Sequence, residues 1–149
     1  MPARTPRATR RRCTAAAILL ALIAGLLVTI ASPASASTPY CRTSTWQGTA
    51  GRTILVPAAP SGWRCYMGRG AHSTAVAALQ RSMNTCYPAV IGARLRVDGV
   101  FGPRTQTALL RVQRRLHIHR DGIYGPQTAL AMRHIAYGGG CDTISHPGG

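Results

Sequence analysis

The chain has 149 residues, 46% of them hydrophobic, and its eighteen basic residues stand against three acidic ones, giving a formal charge of +15. Every basic residue is arginine and the only acids are Asp98, Asp121 and Asp142, so chemistry that needs a glutamate base is excluded. Arginine without lysine, among so many alanines and glycines, reads as the habit of a GC-rich genome; the charge excess is a separate property and favours polyanionic surroundings.

Residues 1–13 carry five arginines and no acid, residues 14–31 are almost wholly apolar, and Ala34-Ser35-Ala36 follows as a small-x-small cleavage site. A basic segment, an apolar segment and such a site predict a secretory signal peptide over residues 1–36. The alternative is a membrane anchor, since about 18 apolar residues can just span a bilayer. Arg10-Arg11 hints at twin-arginine export, but no apolar residue follows closely, which favours the ordinary route. The expected product is a secreted protein, extracellular or associated with the cell wall. Removing 36 of 149 residues leaves 113, enough for one small domain. Thirteen arginines then face three aspartates, a net charge of +10.

Cys13 leaves with the signal, so Cys41, Cys65, Cys86 and Cys141 remain. Four cysteines in a short exported chain imply two disulfides, with three possible connectivities. The expected pairs are Cys41–Cys65, which staples an N-terminal segment to itself, and Cys86–Cys141, which ties the entrance of the later region to its exit. Each is worth roughly 2–4 kcal/mol. A metal site is the poorer reading, because no CxxC occurs.

Residues 37–70 are rich in Ser, Thr, Pro and Gly, with Thr53–Val56 as the only strand-like run, and read as an irregular extension held by Cys41–Cys65. From residue 71 to 149 the pattern is that of one helical domain. Ser73 or Thr74 offers an N-cap, and Val76, Leu79 and Met83 share one helix face over 73–84. After a loop and a short extended piece at Leu95–Val97, "DGVFGPRTQTAL" (98–109) returns 23 positions later as "DGIYGPQTALAM" (121–132), six of twelve residues identical. In each copy Asp-Gly makes a tight turn, with the carboxylate placed to bond amides just ahead. Pro103 and Pro126 fit the first helical position, and Thr105 and Thr128 fall in the first turn, where a hydroxyl can help satisfy free amides. Helices are predicted near 103–116, with Leu109, Val112 and Leu116 as its apolar stripe, and near 126–137, with Met132, Ile135 and Ala136, stopped by Gly138-Gly139-Gly140. The fold expected is mainly α: a small three-helix bundle with two repeated Asp-Gly loops and little strand, plus the disulfide-tied extension.

Leu79-Gln80, Asn84, Asp98-Gly99, Phe101-Gly102, Thr105, Gln113, Asp121-Gly122, Gly125 and Thr128 together resemble the peptidoglycan-binding-domain-like modules of bacterial cell-wall hydrolases. The resemblance covers about residues 72–137 and implies a bundle of three helices attached noncovalently to peptidoglycan. Val112 stands where the family usually has Phe, Cys86 and Cys141 are additions, and nothing resembling a hydrolase domain accompanies the module.

A peptidoglycan binder needs packing surfaces, hydrogen bonds and cations for stem-peptide carboxylates. The loops offer Phe101 and Tyr124 for packing, Arg104 and Arg120 for carboxylates, and Gln127 for amides. For both aromatics the competing role is that of a core plug. Asp98 and Asp121 read as turn-formers. Trp46, Trp63 and Tyr66 either extend a binding face or bury against the bundle. The expected function is a secreted, noncatalytic peptidoglycan-binding protein, a monomer with no cofactor and no specific nucleic-acid partner; anionic wall polymers are a further candidate partner. Three rivals stand beside it. His117-x-His119 with Asp121 can be drawn as zinc ligands of an enzyme, although the spacing matches no zinc-hydrolase pattern. The run "RVQRRLHIHR" (111–120) can act as a polycation towards anionic polymers or nucleic acid, although it lacks interleaved aromatics. An inhibitor or antimicrobial role is open to any small cationic secreted protein.

Overall fold

The computed structural model of the chain describes residues 37–144. The predicted signal peptide, residues 1–36, lies outside the described residues. In chain order the elements are β1 (Thr43–Gly48), β2 (Thr53–Ala58), α1 (Thr74–Cys86), α2 (Pro88–Ile91), α3 (Pro103–Arg115), α4 (Pro126–Ala131), β3 (Arg133–Ile135) and β4 (Cys141–Thr143).

This corrects the expectation of a three-helix bundle with an irregular extension. Among the described residues there are four helices and two small antiparallel sheets, with 33% helical against 25% in strands and isolated bridges. The extension is a hairpin in which Trp46 pairs with Leu55 and Gln47 with Ile54. Its turn is closed by the Thr49 N–H donating to Arg52 O at 2.7 Å and the Arg52 N–H donating to Thr49 Oγ1 at 3.1 Å. β2 is buried along nearly its whole length because the chain after β3 lies along its other edge: Ile54 bridges Ala136, and the Tyr137 N–H donates to Thr53 O at 2.8 Å. The hairpin is therefore part of the core, which joins Ile54, Val56 and Met67 to Val76, Leu79, Met83, Leu109 and Val112.

The second correction concerns the last predicted helix. α4 ends at Ala131, Met132 turns to an extended conformation (ψ 145°), and residues 133–135 form β3. Side chains from the first helical segment take over the amides that helix would have used. Tyr87 Oη accepts from the Arg133 N–H at 2.7 Å, and Ser82 Oγ accepts from the Ile135 N–H at 3.2 Å. Met132, His134 and Ala136 point inward at a period of two, and the glycine triplet 138–140 turns the chain into β4 instead of capping a helix.

The start signals hold. Ser73 caps α1 by accepting from the Val76 N–H at 3.4 Å, and Pro103 and Pro126 open α3 and α4. Both disulfides form as expected, Cys41–Cys65 and Cys86–Cys141.

Candidate functional site

The two Asp-Gly loops are built by one device used twice. Gln80, on the inward face of α1 and 1% exposed, reaches into the first loop. Its Oε1 accepts from the N–H groups of Asp98 (3.1 Å) and Gly99 (3.0 Å), and its Nε2 donates to Asp98 Oδ1 (2.9 Å), Val100 O (3.0 Å) and Thr105 Oγ1 (3.2 Å). Gln113 of α3, fully buried, repeats the pattern in the second loop. Its Oε1 accepts from the Gly122 N–H at 2.9 Å, and its Nε2 donates to Asp121 Oδ1 (2.8 Å), Ile123 O (3.0 Å) and Thr128 Oγ1 (3.2 Å). Each aspartate completes its turn by accepting from the amide two residues on, Val100 or Ile123. Each threonine hydroxyl donates back to the loop carbonyl rather than capping helix amides. A buried carboxamide is suited to this task, because it presents donors and an acceptor in one plane and satisfies backbone groups that the turn strands.

The turn glycines are fixed by geometry as well. Gly99 and Gly122 have φ of 73° and 68°, and a Cβ would lie 2.9 Å from Ser73 O in the first loop and 2.9 Å from Gln106 Cγ in the second. Phe101 and Tyr124, at matching positions, are both 0% exposed and sit in the core. Neither offers a ring face to solvent. Arg104, Arg120 and Gln127 are exposed. His117 is also exposed, and His119 lies 3.4 Å from Asp121 Oδ2. No group of three residues able to hold a metal ion occurs among the described residues. Of the extension's aromatics, Trp46 is 50% exposed and meets Tyr137 edge to face at 5.7 Å, Tyr66 stacks on Tyr40, and Trp63 packs under Arg64.

The loops differ in what precedes them. Gln80 and Asp98 are 18 residues apart, Gln113 and Asp121 only 8. The ten extra residues hold α2 and the stretch that follows, anchored where Asn84 Oδ1 accepts from the Leu95 N–H (2.8 Å) and Asn84 Nδ2 donates to Leu95 O (2.9 Å). This insert and the start of α3 enclose two adjoining clefts of about 440 and 450 Å³, which share Arg94, Leu95, Pro103 and Arg104. Among the described residues the one ion pair within 4 Å is His119–Asp121, while Asp98 feels the charge of Arg96, and Asp142 that of Arg52 and Arg133, at longer range.

The aspartates are held ionised. The Val100 N–H and then the Gln80 amide lower the Asp98 pKa. At Asp121 partial burial works in the opposite direction but is outweighed by the Ile123 N–H, Gln113 and His119. Beneath the second loop, burial pushes His134 down to about 4. Its Nε2 lies 2.9 Å from Ala129 O, which fixes Nε2 as the protonated nitrogen, while Nδ1 is buried without a partner.

Sequence reasoning named Gln80, Asn84 and Gln113 only through the resemblance and gave them no work. The available signal was the recurrence of Leu79-Gln80 as Val112-Gln113, an apolar residue followed by Gln, ahead of each Asp-Gly. Nothing in the sequence pointed to the cleft.

Residues 72–132 match the family model described as "Putative peptidoglycan binding domain". A solved SleB N-terminal domain is 32% identical, over 44% of this chain and 84% of that one, with a TM-score of 0.38. A peptidoglycan-binding protein from Clostridioides difficile, solved in complex with glutamine hydroxamate, is 21% identical over 58% of this chain and 52% of its own, with a TM-score of 0.40. No curated protein matches. On the family match, residues 72–132 of this chain form a domain of the peptidoglycan-binding family.

Proposed function

We propose that the protein is a secreted, noncatalytic binder of peptidoglycan, working as a monomer at the wall, and that Arg104, Arg120 and Gln127 contact the stem peptide. The observation that carries this reading is the doubled Gln-clamped loop within the family-matched segment: its buried members are committed to holding shape, which leaves the exposed residues beside each helix start free for recognition. Arg104 and Gln127 each follow the first proline of a helix, close to free amides that favour a carboxylate. Phe101 and Tyr124, being buried, support the loops from below and are not contacts in this proposal.

Purified wall stripped of anionic polymers should retain the protein at moderate salt, with heparin beads as comparison. Recognition of peptidoglycan survives salt, whereas a pure polycation loses its affinity as counterions compete. Arg104→Ala and Gln127→Ala should weaken this binding while shifting stability by no more than about 0.5 kcal/mol. Parent-like binding by both variants would leave the loops as scaffolding only. Release of reducing ends or free amines from the wall during incubation would refute the noncatalytic part.

A further inference from the structure

We propose that the cleft pair between the α2 insert and the start of α3 is a binding site for a phosphodiester-linked wall polymer, meeting the proposed peptidoglycan contact only at Arg104. Arg94, Arg96, Arg104 and Arg111 line it. Asp98 stands at one end, and its carboxylate is already bonded by the Val100 N–H and Gln80. Arg111 is seated rather than loose: its guanidinium donates to Ile91 O at 2.6 Å, over Gly92. Gly92 has a φ of 84°, and any Cβ there would collide with that guanidinium. The insert thus supplies Arg94 and Arg96 and also the berth for Arg111, and the second repeat, which lacks the insert, has no counterpart.

Charge decides the occupant. A stem peptide brings isolated carboxylates, each matched by one guanidinium fork. Four guanidinium groups along adjoining clefts face a single carboxylate, that of Asp98, which feels the charge of Arg96, and the remaining positive excess matches a ligand whose anions recur at short intervals. Phosphodiesters do so, and the guanidinium fork fits their oxygens two at a time.

The test measures binding of soluble poly(glycerol phosphate) to the purified protein, to an Arg94→Ala/Arg96→Ala variant, and to a charge-matched Arg64→Ala/Arg81→Ala variant altered outside the cleft. We expect the cleft variant to lose at least about tenfold in affinity, the scale of one charge-assisted contact or more. The control should lose less than about twofold. Equal losses in both variants, or none in the cleft variant, would overturn the site. Polyaspartate of equal charge competing as well as poly(glycerol phosphate) would overturn the phosphodiester assignment. The cleft variant should still bind stripped wall like the parent. Failure of the parent on stripped wall alone would count against the peptidoglycan reading and leave this site standing.

Discussion

Replacing Gln113 by leucine keeps a buried side chain of similar size and deletes the clamp of the second loop. The Gly122 N–H, buried in the turn, then has no acceptor, a loss of about 1–3 kcal/mol. The two Nε2 hydrogens shared among Asp121 Oδ1, Ile123 O and Thr128 Oγ1 are lost with it, worth about another 1–3 kcal/mol, offset in part by the apolar gain of the leucine. The net destabilisation is on the order of 3 kcal/mol, a large share of the roughly 5–15 kcal/mol that holds a domain of this size. The melting temperature should fall by about 12–24 °C, measured by circular dichroism. Gln113→Glu separates the clamp from mere packing. It keeps an acceptor for Gly122 but turns its second oxygen toward three groups that accept from Nε2, Asp121 Oδ1 among them. An ionised carboxyl is repelled there, so its folded-state pKa is raised. Its destabilisation relative to the parent should be smallest in acid and grow as pH rises through that raised pKa. A Gln113→Leu protein within about 1 kcal/mol of the parent, or a pH-independent penalty for Gln113→Glu, would refute the clamp.

Other outcomes follow from the same geometry. His134 has its pKa lowered to about 4 by burial, so the unfolded chain binds more protons between the ordinary histidine value and that point. Stability is intact above about pH 6.5 and should fall by about 3 kcal/mol as pH drops to 4; urea titrations of His134→Leu across that window should show a flatter profile. Asp98→Ala and Asp121→Ala should lower the melting temperature, because each carboxylate closes a turn on which a helix start rests. Removing the Cys86–Cys141 bridge as a double serine variant reopens a separation of 55 residues and should cost about 4 kcal/mol on loop-closure grounds. A loss below about 1 kcal/mol would show that β4 holds without it.

Helix starts were legible because they are written locally: Asp-Gly, then Gly-Pro, then Thr all act within a few residues of one another. The apolar stripes Val76, Leu79, Met83 and Leu109, Val112 were legible for the same reason, since each needs only one helix. The disulfides could be read because four cysteines leave few pairings. The β1–β2 hairpin escaped because its signals cancel. β2 is buried on both faces and shows no alternation, while β1 is largely exposed and shows no apolar face. The end of α4 escaped because Met132, Ile135 and Ala136 satisfy a helical period, whereas the inward set is Met132, His134 and Ala136. A polar residue in the middle of that set hides the period of two, and the groups that settle the matter, Ser82 and Tyr87, are some fifty residues away. Phe101 and Tyr124 illustrate the same limit at the site. Their repeat positions marked them as important, and only packing told support from contact.

A repeated loop invites the reading that both copies do the same job, and at the level of the clamp they do. Gln80 and Gln113 make matching bonds, so the conserved letters of the two copies are accounted for by shape alone. In the proposed reading, recognition resides where the copies differ. They differ at the residue after proline, Arg104 against Gln127, and in the ten extra residues between glutamine and aspartate in the first copy. That insert carries Arg94 and Arg96, and through Gly92 it makes room for Arg111 from the following helix. The same device therefore frames two unlike surfaces, with Arg94, Arg96, Arg104 and Arg111 beside the first loop and Arg120 with His119 beside the second. The repeated clamp sets the same frame twice, and the longer spacing in the first copy builds a cleft from residues that the second copy lacks.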